Sequence, residues 1–512
     1  MQTEPYYLES IIERITGQHT VPFGDAILST LDTAIGCETC EELFTPSNPS
    51  TYMGLNGCEI ILNSSASHAE LRKLRTRLDL IANSTRKLGG IYVYANATGV
   101  DGEARMMFDG SSMILVNGRV LEQGSQFSLN PVEVTVATID IEQVRSFRSS
   151  ISRNVQGAAQ PDYPRVEFPI RLSRPADEVY FSDVLKMSKD KELRILDPME
   201  EIWLSTSVYL WQCLDSSTVA LFVYGMARLV MHSIAAGETT TLSDLRRVTG
   251  IKDFSPKKPE EIVNLLLTTC YMGTVNSSED TKSRAKKLSE KLGGHHLDIS
   301  IDNAVGAHND LIKTALNFTP RYSVHGGSRA ENLALQNIQA RNRMVVQYSL
   351  AQLATTARNL PRAGTPLLVL SSGNVDENLR GYYTKYDASS GDLAPLGSIS
   401  KTDARRFQSW ARDEWDLPIM TDFLEATPTA ELLPLEAGVQ DDESENEMGM
   451  TYEAINRHKA TIITPSIHLS GYNPDDNRHD LRPFLYVVDF PWQFNKIKAH
   501  VEKLEARLQK RA

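Results

Sequence analysis

The stretch from residue 59 to residue 94 limits the fold more than any other part of the chain. A short apolar run, Glu59-Ile60-Ile61-Leu62-Asn63, ends in the Ser-rich turn Ser64-Ser65-Ala66-Ser67. Helical spacing then holds from Ala69 to Thr85, and a second apolar run follows, Ile91-Tyr92-Val93-Tyr94. Runs this short read as buried strands, and the periodic stretch between them reads as a helix. Met113-Ile114-Leu115-Val116 and Val120-Leu121 flank Asn117-Gly118, a hairpin signal because both turn residues accept positive φ. Val132, Val134 and Val136 alternate as in a half-buried strand. The first 150 residues are therefore expected to form an α+β or α/β layer domain.

From about Ser149 to Asp183 the chain changes character. Pro161, Pro164, Pro169 and Pro175 interrupt every helical pattern there, so an extended linker is expected. Beyond it, helices and short strands alternate out to about residue 435. Val219, Phe222, Val223, Met226 and Val230 share one helix face. Leu335, Ile338, Leu350 and Leu353 mark a second helix, ahead of the strand Leu367-Leu368-Val369-Leu370. Helix and buried strand in repetition argue for a doubly wound parallel sheet. The acidic run Glu436 to Glu447 reads as a solvated loop. In the tail, Phe494, Ile497, Val501, Leu504 and Leu508 keep heptad-like spacing, which suits a helix packed on its own domain or a subunit contact.

Composition removes several function classes. With 53 Lys+Arg against 65 Asp+Glu, the formal charge is -12, which argues against nonspecific nucleic-acid binding. Five cysteines in 512 residues make no disulfide framework and fit a reducing cytosol. Met1-Gln2-Thr3-Glu4-Pro5 lacks the basic and apolar regions of a signal peptide. The most apolar stretch, Val219 to Val230, is too short for a membrane span and contains Arg228. The expectation is a soluble cytoplasmic protein of two to four domains, with no nucleic-acid or membrane partner.

Several polar groups could carry chemistry. Cys37 and Cys40 form a Cys-x-x-Cys pair, open to a metal or redox role, a catalytic thiol, or a structural cysteine; no second pair completes a zinc site. Asp215-Ser216-Ser217 precedes an apolar helix and is either a plain N-cap or a phosphate site. Asn332, Gln336, Asn337, Gln339, Arg341 and Arg343 give one helix a concentration of amides and arginines, which suits either a polar ligand or a surface. Ser371-Ser372-Gly373-Asn374-Val375-Asp376-Glu377 follows a strand at the end where α/β folds bind ligands. Glu377 could help hold Mg²⁺, and Lys385, Lys401 and Lys459 could neutralise phosphates, although each lysine alone also reads as a surface charge. His295 and His296 are adjacent, so they point apart and receive no role.

Longer phrases carry a resemblance. Gly36 to Phe44 with Thr45-Pro46, Asn63 to Lys73, Phe108-Asp109-Gly110, and Gln123 to Phe127 resemble the glutaminase domain of the eukaryotic glutamine-dependent NAD⁺ synthetases. Met272-Gly273-Thr274 with Asn276-Ser277-Ser278, Glu331 to Arg341, Asn374 to Glu377, Thr384 to Asp387, Met448 to Tyr452 and Asn456 to Lys459 resemble their synthetase domain. The resemblance implies a partial nitrilase-like α-β-β-α sandwich over 1–148, a linker over 149–195, and a PP-loop-like doubly wound domain over 196–512. It further implies an enzyme that hydrolyses glutamine, adenylates the carboxylate of deamido-NAD⁺ with ATP and Mg²⁺, and lets ammonia displace AMP. Ammonia made inside the enzyme stays unprotonated on its way through a dry tunnel. The partners implied are small-molecule substrates and further copies of the chain.

By the same resemblance Cys40 is the glutaminase nucleophile, and Ser67 with Arg72 or Lys73 touches glutamine. Asp215 and Ser216 match the end of the family's Ser-Gly-Gly-x-Asp-Ser pyrophosphate loop. Met272 falls near the adenine site and Arg341 near deamido-NAD⁺. Ser372 and Glu377 face ATP and Mg²⁺, with Asp215 as a second metal ligand, while Lys385, Lys401 and Lys459 lie with the nucleotide and pyrophosphate. Three departures stand against this pattern. The family's Glu and Lys partners of the Cys lie well before it, where this sequence has 39 residues aligned with the segment just upstream. Only Gln212-Cys213-Leu214 separates Trp211 from Asp215, where the family has a helix end, a strand and Ser-Gly-Gly. Met448 to Glu453 runs straight into Ala454 to Lys459, where the family has a long helical segment. These departures predict weak turnover of glutamine, and a non-catalytic subunit of the same family is the reading from another class.

Overall fold

The computed structural model describes residues 3–100, 106–130, 132–173, 186–212, 219–426, 431–434, 449 and 451–455. The chain divides into two compact units, Met1–Gly99 with Phe108–Leu196, and Val100–Met107 with Asp197–Ala512. Among the described residues no helix is long and apolar enough to cross a membrane.

In the first unit, β1 (Thr3–Tyr7) and β2 (Thr20–Gly24) form a small antiparallel ribbon. Among the described residues the main sheet has seven strands. β3 (Ile27–Ser29), β4 (Ala34–Thr39), β5 (Ile60–Ser65) and β6 (Ile91–Asn96) lie side by side, and β4, β5 and β6 are mutually parallel. The helix Lys73–Leu88 makes the crossover from β5 to β6, as the spacing between the two apolar runs requires. A separate pair is formed by β7 (Thr98–Val100) and β8 (Met107–Asp109). The hairpin of β9 (Met113–Val116) and β10 (Arg119–Gln123) closes one edge, turning at Asn117 and Gly118 with φ of 50° and 84°. One sheet face packs Ile61, Tyr92, Met113 and Leu115 against Leu74 and Ile81 of the crossover helix. The other face packs Ile91, Ile114 and Val116 against Val144 of the helix Glu142–Ser150.

Two expectations change here. Val132, Val134 and Val136 form no strand and are 75%, 79% and 70% exposed. The alternate set, Ala137, Ile139 and Ile141, packs inward instead, and Lys191 N–H takes the Val120 carbonyl on β10. Without an open edge beside it, an alternating stretch has no ladder to join. The Pro-rich stretch after residue 149 is also more than a connector: its Arg165–Glu167 is β11, which pairs parallel with β3 and ends the sheet. Pro161 and Pro164 lie outside that short run, so the ladder keeps its donors.

The second unit opens with two helices, Pro198–Gln212 and Val219–Ala235. Phe222 meets Phe407 of the helix Lys401–Glu414 at 4.9 Å between ring centroids, Trp410 and Trp415 pack on Phe407, and Trp203 packs on those two tryptophans. A parallel pair, β12 (Thr268–Gly273) and β13 (His295–Ser300), is joined by the helix Glu279–Leu292. The helix Arg329–Ala357 starts at a capping box in which Ser328 and Glu331 satisfy each other's backbone N–H groups. Among the described residues Leu367 to Leu370, expected as a strand, pairs at the single bridge Leu370 to Leu393. Among the described residues the second unit's α/β layering therefore rests on one two-stranded parallel sheet.

Candidate active site

The carboxyl ends of β4, β5 and β6 gather the polar groups of the first unit, as the parallel strand–helix–strand arrangement predicts. Cys40 is the first residue beyond β4. It is half-buried, opens a one-turn helix, Cys40–Phe44, and has φ +44°, a conformation that L side chains rarely adopt. Thr39 and Glu42 brace this turn as a capping box, with the Thr39 N–H 2.6 Å from the Glu42 carboxylate. The Cys40 N–H donates to Asn63 Oδ1 on β5 at 3.1 Å. Gly36 lets the strand run close below, because a Cβ there would collide with the side chain of Met53. Cys37 is exposed. Among the described residues no group of three or more His, Cys, Asp or Glu is placed to hold a metal ion.

Ser67 and Lys73 follow β5. Ser67 is 4% exposed, and its N–H donates to Asn96 Oδ1 at the end of β6 at 2.9 Å. Asn96 in turn donates to the Ser67 carbonyl at 3.3 Å, to Asp109 at 3.2 Å and to the Gly110 carbonyl at 3.0 Å. Lys73 Nζ sits 5.7 Å from the ring centre of Phe44, on the turn that Cys40 opens, and 3.0 Å from Glu70. A hydrogen bond from His68 and the Lys73 ammonium pull the Glu70 carboxyl down to about 2. Beneath this surface Asp109 and Arg77 form a wholly buried ion pair, and Gln126 adds a donor to Asp109 at 3.2 Å. The two phrases around Asp109 and Gln126 thus fold onto each other, with the Phe127 N–H on the Asp109 carbonyl at 3.0 Å.

In the second unit Met272 and Ser372 line one cavity of about 280 Å³, together with Tyr271, Arg343 and Glu431. Leu267 and Gly273 turn their carbonyls toward β13, so Thr268, Cys270 and Met272 turn theirs to the cavity side. Leu367 to Leu370 form the opposite wall. Both β12 and Leu367 to Leu370 line this cavity, and among the described residues no ladder joins them. The arginines and amides of the helix Arg329–Ala357 mostly hold loops. Arg341 donates to the Lys385 carbonyl at 3.0 Å, and Gln339, 1% exposed, ties Thr274, Asn276, Tyr322 and Leu432 together.

Glu377 and Lys401 form a second grouping. Asn374 caps the helix Val375–Arg380 through its Oδ1, and one Glu377 oxygen returns to the Asn374 N–H at 3.3 Å. The other Glu377 oxygen accepts the Tyr452 hydroxyl at 3.3 Å and lies 3.9 Å from Lys401 Nζ. A single carboxylate with an ammonium beside it does not by itself fit a divalent cation. Asp215, Ser216 and Lys459 lie outside the described residues, as do the acidic run and the heptad-like tail.

Residues 2–149 match the carbon-nitrogen hydrolase family and residues 261–463 match the NAD synthase family. The glutamine-dependent NAD(+) synthetase of Saccharomyces cerevisiae is 43% identical over an alignment that covers 98% of this chain and 79% of that relative. The chain belongs to the glutamine-dependent NAD(+) synthetases. These NAD(+) synthetases include a solved structure from Cytophaga hutchinsonii, which superposes with a TM-score of 0.61 at 19% identity, covering 97% of this chain and 77% of that one. A second, from Acinetobacter baumannii in complex with ADP, gives 0.51 at 17% identity and covers 87% and 69%. Both support the fold. The yeast alignment runs over 570 positions, 58 more than the chain's 512 residues, so at least 58 positions of that synthetase have no counterpart here.

Sequence reasoning passed over Glu38, Asn63, Tyr92, Asn96 and Arg77 as individual site residues. One signal was available for Glu38. It shares the inward face of β4 with Ala34 and Gly36, and a carboxylate at a core position calls for a partner.

Proposed function

We propose that this chain catalyses its family's reaction, the ATP-dependent amidation of deamido-NAD⁺ to NAD⁺ with nitrogen from glutamine. In this reading residues 1–148 are the C-terminal part of the glutaminase domain, 149–195 a connecting segment whose Arg165–Glu167 joins that domain's sheet, and 196–512 the synthetase domain. Cys40 attacks the glutamine amide carbon and releases ammonia, and water then frees glutamate from the thioester. Ser67 and Lys73 hold the glutamine. Adenylation gives the inert carboxylate of deamido-NAD⁺ a leaving group, and ammonia displaces AMP.

The observation that carries the reading is Cys40 itself, half-buried and held at φ +44° where parallel strands end, within a chain of this family. The cavity shared by Met272 and Ser372, and the Arg341–Lys385 and Glu377–Lys401 pairings, support placing the nucleotide substrates in the second unit. Asp215, Ser216 and Lys459 complete the nucleotide site in this reading. Glu377, one of the two expected Mg²⁺ ligands, has both carboxylate oxygens engaged, one by the Asn374 N–H and the other by the Tyr452 hydroxyl. A cytoplasmic homo-oligomer completes the proposal.

The test is NAD⁺ formation by the purified chain from deamido-NAD⁺ and ATP, with glutamine or with ammonium. Slow formation is expected from both, and Cys40→Ala should abolish the first while leaving the second. Formation from neither nitrogen source would overturn the proposal.

A further inference from the structure

A chain of buried groups behind Cys40 takes no part in the reaction as described. Glu38, two residues before Cys40 on β4, is 2% exposed, Asn63 on β5 is 1% exposed, and Tyr92 on β6 is fully buried. Their side chains share one sheet face. Glu38 pairs across with Asn63, and Ile61 with Tyr92, and alternate residues of a strand point the same way. The Cys40 N–H donates to Asn63 Oδ1 at 3.1 Å, Asn63 Nδ2 donates to the Tyr92 oxygen at 2.9 Å, and the Tyr92 hydroxyl donates to Glu38 Oε1. Glu38 Oε2 accepts the Ser50 N–H at 2.9 Å, at the start of the helix Pro49–Leu55.

Every bond in this chain points the same way, from the Cys40 amide toward the Glu38 carboxylate, so each polarises the next. Burial and the carboxylate push the Tyr92 phenol far above its usual range, and it remains a donor at any working pH. Thr39 and Ser64 are the last residues paired between β4 and β5. The Cys40 amide is therefore the first beyond the ladder, and a side chain replaces the partner that the sheet no longer supplies.

We propose that Glu38, Tyr92 and Asn63 are positioning residues for Cys40. They lock its backbone amide, hold the left-handed turn, and so aim the thiol at the substrate. The proposal rests on the reading of Cys40 as the glutaminase nucleophile.

Two readouts on the full chain test it. Hydrogen exchange at the Cys40 amide reads the chain of bonds directly. Inactivation by 6-diazo-5-oxo-norleucine, a glutamine-shaped electrophile, with the modified cysteine identified by mass spectrometry, reads the aim of the thiol. Tyr92→Phe removes one hydroxyl only. It should speed exchange at Cys40 about tenfold relative to Ile61, and slow maximal inactivation about tenfold at an unchanged half-saturating concentration, the scale of one buried hydrogen bond. Tyr94→Phe, a neighbouring phenol outside the chain of bonds, should do neither. Should Tyr92→Phe fail to fold, the isosteric Glu38→Gln is read in the same way. Labelling of Cys40 with both readouts unmoved in the variant overturns the positioning role alone. No labelling of Cys40 in the unaltered chain overturns the nucleophile reading, and the positioning role with it.

Discussion

Asp109→Asn changes one atom and should cost the first unit a large part of its stability. Asp109 is 1% exposed and accepts from Arg77, which is fully buried, and from Gln126 and Asn96 at 3.2 Å each. The asparagine keeps the shape but leaves the Arg77 guanidinium buried without a counter-charge, and turns an amide N–H₂ toward one of its former donors. Removing one partner of a buried pair costs about 3–5 kcal/mol. With a urea slope of about 2 kcal/mol per molar, the midpoint should fall by about 2 M. The two units can be read separately. All five tryptophans lie in the second unit, while Cys58, 1% exposed, lies in the first. Alkylation of Cys58 as a function of urea should shift, and the tryptophan fluorescence transition should stay in place. Replacing both partners, Arg77→Met with Asp109→Leu, should recover most of the loss, since neither charge then remains buried. A shift below about 0.5 M for the single variant, or a double variant no better than the single, would refute the reasoning.

Further outcomes follow from other buried or paired groups. The Glu70 carboxyl is held at about 2 against an ordinary 4.5, so its ionised form stabilises the fold fully above about pH 4.5 and loses that contribution as pH falls toward 2. The stability difference between the unaltered chain and Glu70→Gln, about 1 kcal/mol at neutral pH, should therefore vanish over that interval in urea titrations followed by far-ultraviolet circular dichroism. Arg148, 9% exposed, donates to the carbonyls of Gly89, Gly57 and Cys58. Arg148→Met leaves those acceptors without their donor and should destabilise the first unit by about 3 kcal/mol, and Arg148→Lys should not restore it, because an ammonium lacks the planar fork. Phe407→Ala removes a buried ring packed on Phe222, Trp410 and Trp415 and should cost the second unit about 3–5 kcal/mol, seen as an earlier fluorescence transition with Cys58 protection unchanged.

The parts of this fold that the sequence determined by itself are those whose physics is local. Asn117-Gly118 makes its hairpin because both residues accept positive φ, whatever lies around them. The helix Lys73–Leu88 between β5 and β6, and the capping box at Ser328, follow from spacing and side-chain chemistry within a few residues. Phrase resemblance carried the family and the candidate Cys40, and the fold places that residue just beyond the end of β4.

Tertiary structure decided what depends on distant partners. Leu367 to Leu370 has a strand's composition, yet a strand exists only where a neighbouring edge meets its N–H and C=O groups, and among the described residues that happens at the one bridge from Leu370 to Leu393. Val132, Val134 and Val136 alternate correctly, but the opposite parity was the one that found a core. Tyr92 and Glu38 stand 54 residues apart, and nothing near either announces the hydrogen bond between them. Only the register of three parallel strands brings both to the amide of Cys40, because a sheet converts separation along the chain into adjacency across it.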